Sequence, residues 1–342
     1  MKKYSKIIFV FIFLAGASFL VWTYAQNKGY RFQVSREENI TLTENNKEPQ
    51  NIGSIGYLTE LPVLGLTFSE AGDALWYFSN DLLYRRAISD SNDVKEYPLP
   101  AHDSVTYVLW PPTGSDFIIG SGDARHLFDS GSNKFIPYPD EVKFIQWLPI
   151  GQKIAYIWAG ESEITLSVAT PDLASPRKIA KLPHADFRLA VSPNGKSFLL
   201  FSGRGNDPIY LVIDGIGALE EIAAAQAVDS VKFSSDGRNF AYVTNVDGRQ
   251  HLFLYDILEH RAAVDQPYYL SGDYAWSVDG KRLYYSVQDS GLQQLNVDDK
   301  ISTRLTDKNA KILASEILLD NSENALYFVE KATGRLGKLK LK

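Results

Sequence analysis

The chain of 342 residues contains no cysteine, one methionine and five histidines. Without cysteine there are no disulfides, no thiolate nucleophile, no iron–sulfur cluster and no cysteine-based zinc site. No Gly-x-Ser-x-Gly elbow occurs, which removes the usual nucleophile of an α/β-hydrolase. A basic surplus is also missing. Thirty-five Lys and Arg stand against 41 Asp and Glu, and Lys2, Lys3 and Lys6 sit at the extreme N-terminus, so the remainder is more acidic still. Nucleic acid is not expected as a partner, because phosphate binding needs a cationic surface that releases counterions. Helix-forming stretches are nearly absent too, the exception being an Ala-rich passage at Glu220 to Ala227.

What is present is apolar and aromatic. With 45% hydrophobic and 13% aromatic residues against 22% charged, the chain can bury an extended core. One long apolar run occurs, Ile7 to Trp22, extended by Thr23 and Tyr24. It is near the lower limit for a membrane-spanning helix. Lysines before it and Trp22 and Tyr24 at its far end fit a positive-inside orientation with an aromatic interface belt. The expectation is a cytoplasmic basic end at 1–6, a transmembrane signal anchor at 7–24, a polar tether at 25–52 and an exported domain at 53–342. The rival is a cleaved signal peptide, for which Ala15-Gly16-Ala17 has the small-x-small form.

From residue 53 onward a repeat sets the architecture. Phe233-Ser234-Ser235-Asp236-Gly237-Arg238-Asn239-Phe240-Ala241-Tyr242 is echoed by Trp276-Ser277-Val278-Asp279-Gly280-Lys281-Arg282-Leu283-Tyr284-Tyr285. The same frame appears at Val191-Ser192-Pro193-Asn194-Gly195-Lys196, at Trp147 with Gly151, at Trp110 with Gly114, and at Phe68 with Gly72. A degenerate copy runs from Leu319 to Phe328, with Ser322-Glu323 in place of Asp-Gly. The anchors recur every 37 to 44 residues, the period of one four-stranded propeller blade. In each unit an apolar strand ends at the anchor, and a turn follows in which Gly takes positive φ. Trp110, Trp147 and Trp276 therefore read as blade packing.

Seven copies predict an all-β, seven-bladed propeller, with six or eight blades as alternatives. The last repeat supplies only three strands. One of the pieces at Ile40 to Thr43 or Ile55 to Leu61 is expected to pair with Arg335 to Leu341 and close the ring, which would remove exposed edges.

The Trp/Phe-Ser-Pro-Asp-Gly-Lys-x-apolar-x-Tyr frame resembles the WD40-like repeat of TolB-type propellers, over about residues 55 to 342. That repeat also occurs in the propellers of prolyl oligopeptidases, whose catalytic residues lie on a separate domain with no counterpart here. The resemblance implies a binding or scaffolding module of a bacterial-type cell envelope, with an envelope protein or a wall polymer as partner and no cofactor.

Loops leading into each inner strand surround one mouth of a propeller's channel. Here they are expected to hold His102, Asp103, Asp140, Glu141, His184, Asp186, Asp229 and Asp273. A rim of one charge sign focuses the field on a basic peptide, a cation or an amino sugar; the plainer reading is that exposed loops are polar. His126 and His251, placed just before apolar third strands, and His260, in a turn, read as structural. The adjacent pairs Asp140-Glu141, Glu220-Glu221 and Asp298-Asp299 do not suit glycosidase chemistry, which needs carboxyls facing across a substrate. Asp90-Ser91-Asn92-Asp93 and Asp129 to Asn133 read as turns, lacking the ligand order of a calcium loop. No catalytic residue is expected. The alternative function is a propeller hydrolase or lyase using a carboxylate-bound divalent metal in the channel.

Overall fold

The computed structural model describes residues 54–341 apart from 91, 204–206, 224–226, 247–248, 260, 267–269, 289 and 308. The apolar run at 7–24, the tether at 25–52, the piece at Ile40 to Thr43 and His260 lie outside the described residues. No helix among those described is long and apolar enough to cross a membrane.

Twenty-eight strands form seven antiparallel four-stranded sheets. After β1 (Ile55–Tyr57), blade 1 contains β2 (Leu64–Phe68), β3 (Ala74–Ser79), β4 (Leu82–Ala87) and β5 (Val94–Tyr97). Blade 2 contains β6 (Tyr107–Leu109), β7 (Phe117–Ser121), β8 (Ala124–Asp129) and β9 (Lys134–Pro137). Blade 3 contains β10 (Val142–Trp147), β11 (Ile154–Ala159), β12 (Ile164–Ala169) and β13 (Arg177–Leu182). Blade 4 contains β14 (Phe187–Val191), β15 (Ser197–Ser202), β16 (Ile209–Ile213) and β17 (Leu219–Ala223). Blade 5 contains β18 (Val228–Phe233), β19 (Asn239–Val246), β20 (Arg249–Asp256) and β21 (Arg261–Gln266). Blade 6 contains β22 (Leu270–Trp276), β23 (Arg282–Val287), β24 (Gly291–Asn296) and β25 (Ser302–Arg304). Blade 7 is built from β26 (Ala314–Leu319), β27 (Ala325–Glu330), β28 (Leu336–Lys340) and, as its outermost strand, β1.

That last strand is the expected ring closure. Ile55 pairs with Leu339 and Tyr57 with Gly337. Beyond the ladder, Leu58 N–H donates to the Leu336 carbonyl at 2.8 Å, and the Arg335 guanidinium lies 4.4 Å from the Tyr57 ring centroid. Burial and the neighbouring Glu330 carboxylate push the Tyr57 hydroxyl up to about 12.

The core consists of seven apolar layers, one between each pair of adjacent blades. Second strands are covered on both sides, which explains their short unbroken apolar runs. At one repeat position stand Leu75, Phe117, Ile154, Phe198, Phe240, Leu283 and Leu326, all at 2% exposure or less. Removing such a phenylalanine side chain costs about 3–5 kcal/mol. The layer between blades 7 and 1 sets Tyr327 and Val329 against Leu75 and Tyr77, so closure is hydrophobic as well as hydrogen-bonded.

The anchors do more than fill space. Trp110 Nε1–H donates to the Gly65 carbonyl at 2.6 Å, Trp147 to Leu109 at 2.9 Å and Trp276 to Lys232 at 3.2 Å. Each indole thus ties its blade to the inner strand of the preceding one. At Gly65, with φ of +66°, an added Cβ would stand 2.7 Å from Val108, so only glycine permits that approach.

The turns after Val191, Phe233 and Trp276 repeat one hydrogen-bond scheme, with Ser192 donating to Asn194 and accepting from Ser197 N–H. Ser234 Oγ donates to Asp236 and accepts from Asn239 N–H, and Ser277 does the same with Asp279 and Arg282. In repeat seven Asp320 replaces the serine, and Glu323, with φ of +54°, occupies the glycine position. The described start of the Ala-rich passage, Glu220 to Ala223, is extended rather than helical. Leu219–Ala223 forms β17, because Ile222 is needed in the layer between blades 4 and 5; tertiary packing overrides helix propensity. His126 and His251 lie within β8 and β20 rather than before them.

Candidate functional site

Alternation along the inner strands sorts their side chains between the two faces of each blade. Ile145, Leu189, Val231, Tyr274 and Ile317 are buried between blades, whereas Phe144, Arg188, Ser230, Lys232, Asp273 and Glu316 beside them are not fully covered. A period of two puts these flanking residues on the opposite side of the strand.

Near their first residues five inner strands slip register, at Leu64/Thr67, Val142/Phe144, Val228/Ser230, Leu270/Tyr274 and Ala314/Glu316. A bulge leaves a residue out of the ladder and re-aims its side chain. Lys143, Asp229, Asp273 and Ser315 are among those left out. This corrects the loop assignment of two rim carboxylates: Asp229 belongs to β18 and Asp273 to β22. His102, Asp103, Asp140, Glu141, His184 and Asp186 do lie in the connections that enter inner strands, so all eight candidates gather toward one face.

Their environments differ. His102 is held by the Asp103 carbonyl, 2.8 Å from its Nδ1, with its ring edge-on to Phe135. His184 stacks on Phe187 at 4.1 Å and places Nε2 3.3 Å from Asp207. Both histidines are fixed by aromatic neighbours. Asp229 accepts from Gln250 at 2.8 Å, and its own carbonyl accepts from Arg188 at 3.1 Å. Asp273 pairs with Lys232 at 2.5 Å, and the same ammonium donates to the Tyr274 carbonyl at 2.8 Å. Asp186 is exposed and has a polar partner. Asp103, Asp140 and Glu141 remain. All three are exposed, and among the described residues their carboxylates have no hydrogen-bond or ion-pair partner.

Deeper along the inner strands lie groups that the motif search passed over. Glu316 accepts from Gly65 N–H at 3.0 Å and Leu66 N–H at 2.7 Å, one to each carboxylate oxygen. Burial raises its pKa despite both donors. Arg125 on β8 donates to the carbonyls of Val142 and Lys143 at the β10 bulge. Aligning the repeats could have found part of this, because Arg188, Asp273 and Glu316 share the position three before the anchor. A charged residue there breaks an otherwise apolar or small column.

Among the described residues no three His, Asp or Glu side chains converge as a metal site requires. The geometry offers carbonyls, N–H groups and carboxylates around an opening, with Arg188, Asp229, Lys232, Asp273 and Glu316 of the inner strands each bonded to the scaffold. Such an arrangement can bind.

The fold and its rim define a seven-bladed β-propeller with a partly acidic loop face. Two solved structures share the fold. One is the β-propeller domain of Cps50 (Swd1) from Myceliophteria thermophila, with a TM-score of 0.62 and 15% identity over 84% of this chain and 100% of that one. The other is U3-55K, with a TM-score of 0.62 and 12% identity over 86% of this chain and 100% of that one. No protein-family model and no curated protein matches the chain.

Proposed function

We propose that the chain is a membrane-anchored, extracytoplasmic propeller of the TolB-type, WD40-like class, acting as a non-enzymatic binding scaffold of the cell envelope. Its rim takes a cationic group, carried by a basic segment of an envelope protein or by an amino sugar of a wall polymer. The observation that carries this reading is the set of Asp103, Asp140 and Glu141. Arg188, Asp229, Lys232, Asp273 and Glu316 on the inner strands have hydrogen-bond or ion-pair partners, while the carboxylates of these three, at the entries to blades 2 and 3, have none among the described residues. A fixed cluster of one sign raises the encounter rate with an oppositely charged ligand.

Capture from solubilised envelopes by the full chain, compared with a variant carrying Asp103→Lys, Asp140→Lys and Glu141→Lys, tests the rim. Loss of a salt-sensitive partner is the expected result, and unchanged capture contradicts it. Anchoring is tested separately by alkaline carbonate extraction of membranes, in which the chain is expected to stay with the pellet. A channel metal enzyme is not favoured by any grouping of ligands among the described residues.

A further inference from the structure

The face opposite the rim carries several exposed aliphatic side chains. Among the described residues, the four most exposed large hydrophobics are Leu258 (74%), Ile216 (69%), Ile150 (64%) and Val278 (58%). Ile150 and Val278 stand in the connections from first to second strand of blades 3 and 6, and Ile216 and Leu258 in those from third to fourth strand of blades 4 and 5. In an up-and-down blade these two kinds of connection lie at the same end, opposite the loops of the rim. Ile301, before β25, and Ile213, at the end of β16, add two more. The acidic residues of the same turns, among them the exposed Asp236, Glu259, Asp279, Asp298 and Asp299, are for the most part held by bonds within their own turns. Asp236 and Asp279 accept from backbone and serine groups of their own turns, Asp256 caps Leu258 and Glu259, and Asp299 accepts from Ile301 N–H. Lys153, Lys196, Lys281 and Lys300 are exposed beside the tips.

The course of the chain singles out this face. As the fourth strand of blade 7, β1 runs antiparallel to β28, with Ile55 opposite Leu339 and Tyr57 opposite Gly337. It therefore starts at the end that bears the aliphatic tips and finishes at the rim. Whatever precedes Ile55 joins the propeller on the aliphatic face, and what precedes it includes the uninterrupted apolar run of 7–24.

We infer that this face rests on the lipid bilayer, with Ile150, Ile216, Leu258 and Val278 inserted at the level of the headgroups and the acidic rim turned away from the membrane. The inference relies on the anchored reading of residues 7–24. A bilayer suits the tips better than a protein partner because they are single aliphatic residues on separate turns, not a continuous patch, and none is aromatic. Scattered apolar tips insert independently into an interface, while adjacent lysines reach its phosphates through their apolar stems.

Because the chain has no cysteine, single probes can be placed without background. Full-length Ile150→Cys, Ile216→Cys, Leu258→Cys and Val278→Cys, with Asp103→Cys and Asp140→Cys as rim controls, are labelled with a polarity-sensitive fluorophore. They are then reconstituted into phosphatidylcholine–phosphatidylglycerol vesicles containing nitroxide-labelled lipid. At least twofold quenching at the four tips, with little at the rim, is expected. Equal quenching on both faces, or none at the tips of chains that float with the vesicles, overturns the orientation while leaving the anchor intact. Tips shielded from aqueous iodide but not quenched by lipid also overturn it and indicate a protein occupant. Failure of the chain to float overturns the anchored reading itself.

Discussion

Glu316 on the last inner strand accepts a hydrogen bond from the backbone of Leu66 on the first, at 2.7 Å, and the second carboxylate oxygen takes Gly65. One side chain thereby satisfies two N–H groups across the junction where the ring meets itself. Glu316→Ala leaves both donors without their partner and is expected to cost about 1–3 kcal/mol, read as a lowered urea midpoint. The pH dependence has a definite sign. Burial raises the native pKa of this carboxyl, so the folded chain retains the proton to higher pH than the unfolded chain. Its contribution to stability is then fullest below the ordinary glutamate range and declines as pH rises through the native value. Glu316→Gln has no such proton, and the stability of wild type relative to this variant should fall as pH rises above the ordinary glutamate range. A relative stability that grows over that range would mean the two N–H donors outweigh burial.

Glu323 separates backbone strain from side-chain gain. It holds the left-handed conformation that glycine holds at Gly72, Gly195, Gly237 and Gly280. In return its carboxylate accepts from Val278 N–H at 2.8 Å and pairs with Arg282 of blade 6. Glu323→Ala keeps the strain and loses the bridge, whereas Glu323→Gly loses the bridge and relieves the strain. The alanine variant should be the less stable of the two by about 1 kcal/mol, measured by thermal unfolding of both proteins in one buffer.

Trp147 is 5% exposed, and its indole N–H is committed to the Leu109 carbonyl. Trp147→Phe retains most of the packing and removes that bond. A loss of about 1–2 kcal/mol is expected, together with greater protease sensitivity where blades 2 and 3 meet. A change within experimental error would show that the carbonyl finds water instead.

Arg177 and Asp214 join blades 3 and 4 through two parallel hydrogen bonds of 2.6 and 2.8 Å. The guanidinium holds the Asp214 carboxyl below its ordinary range, so the contribution of this pair is present above the unfolded aspartate value and lost as pH falls through the native one. Both groups are partly exposed, which limits the effect to about 0.5–1 kcal/mol. Asp214→Asn should lower the midpoint of thermal unfolding at pH 7, by an amount that shrinks as pH falls below the ordinary aspartate range.

Much of this architecture was legible because one frame recurs with its turn chemistry intact. Phe233 and Trp276, each followed by serine and then Asp-Gly, fix where a strand stops and where the chain reverses. The last repeat supplies three strands of its own, and β1 from the N-terminal side fills the fourth place. The blade count was less secure, because repeat seven is degenerate: Asp320 takes over the serine's hydrogen bond and Glu323 the glycine's conformation, substitutions recognisable only once φ and partners are known. The rim was legible in position but not in state. Nothing in one-dimensional spacing separates Asp273, neutralised by Lys232 on the inner strand of the preceding blade, from Asp140, which has no such partner among the described residues. Glu316 was invisible as a functional group because its partners are backbone atoms some 250 positions away.

The latch that joins β1 to β28 also sets a schedule. Ile55 is made among the first residues of the propeller and Leu339 among the last, so a chain that emerges N-terminus first must carry its closing strand unpaired until nearly every other strand exists. Blades 1 to 6 contain all four of their own strands and can form as they appear, whereas blade 7 waits for both ends. Throughout synthesis, closure of the ring therefore reports that both β1 and β28 have been made, and a chain truncated before β28 is left with an open edge that quality-control proteases and neighbouring strands can find.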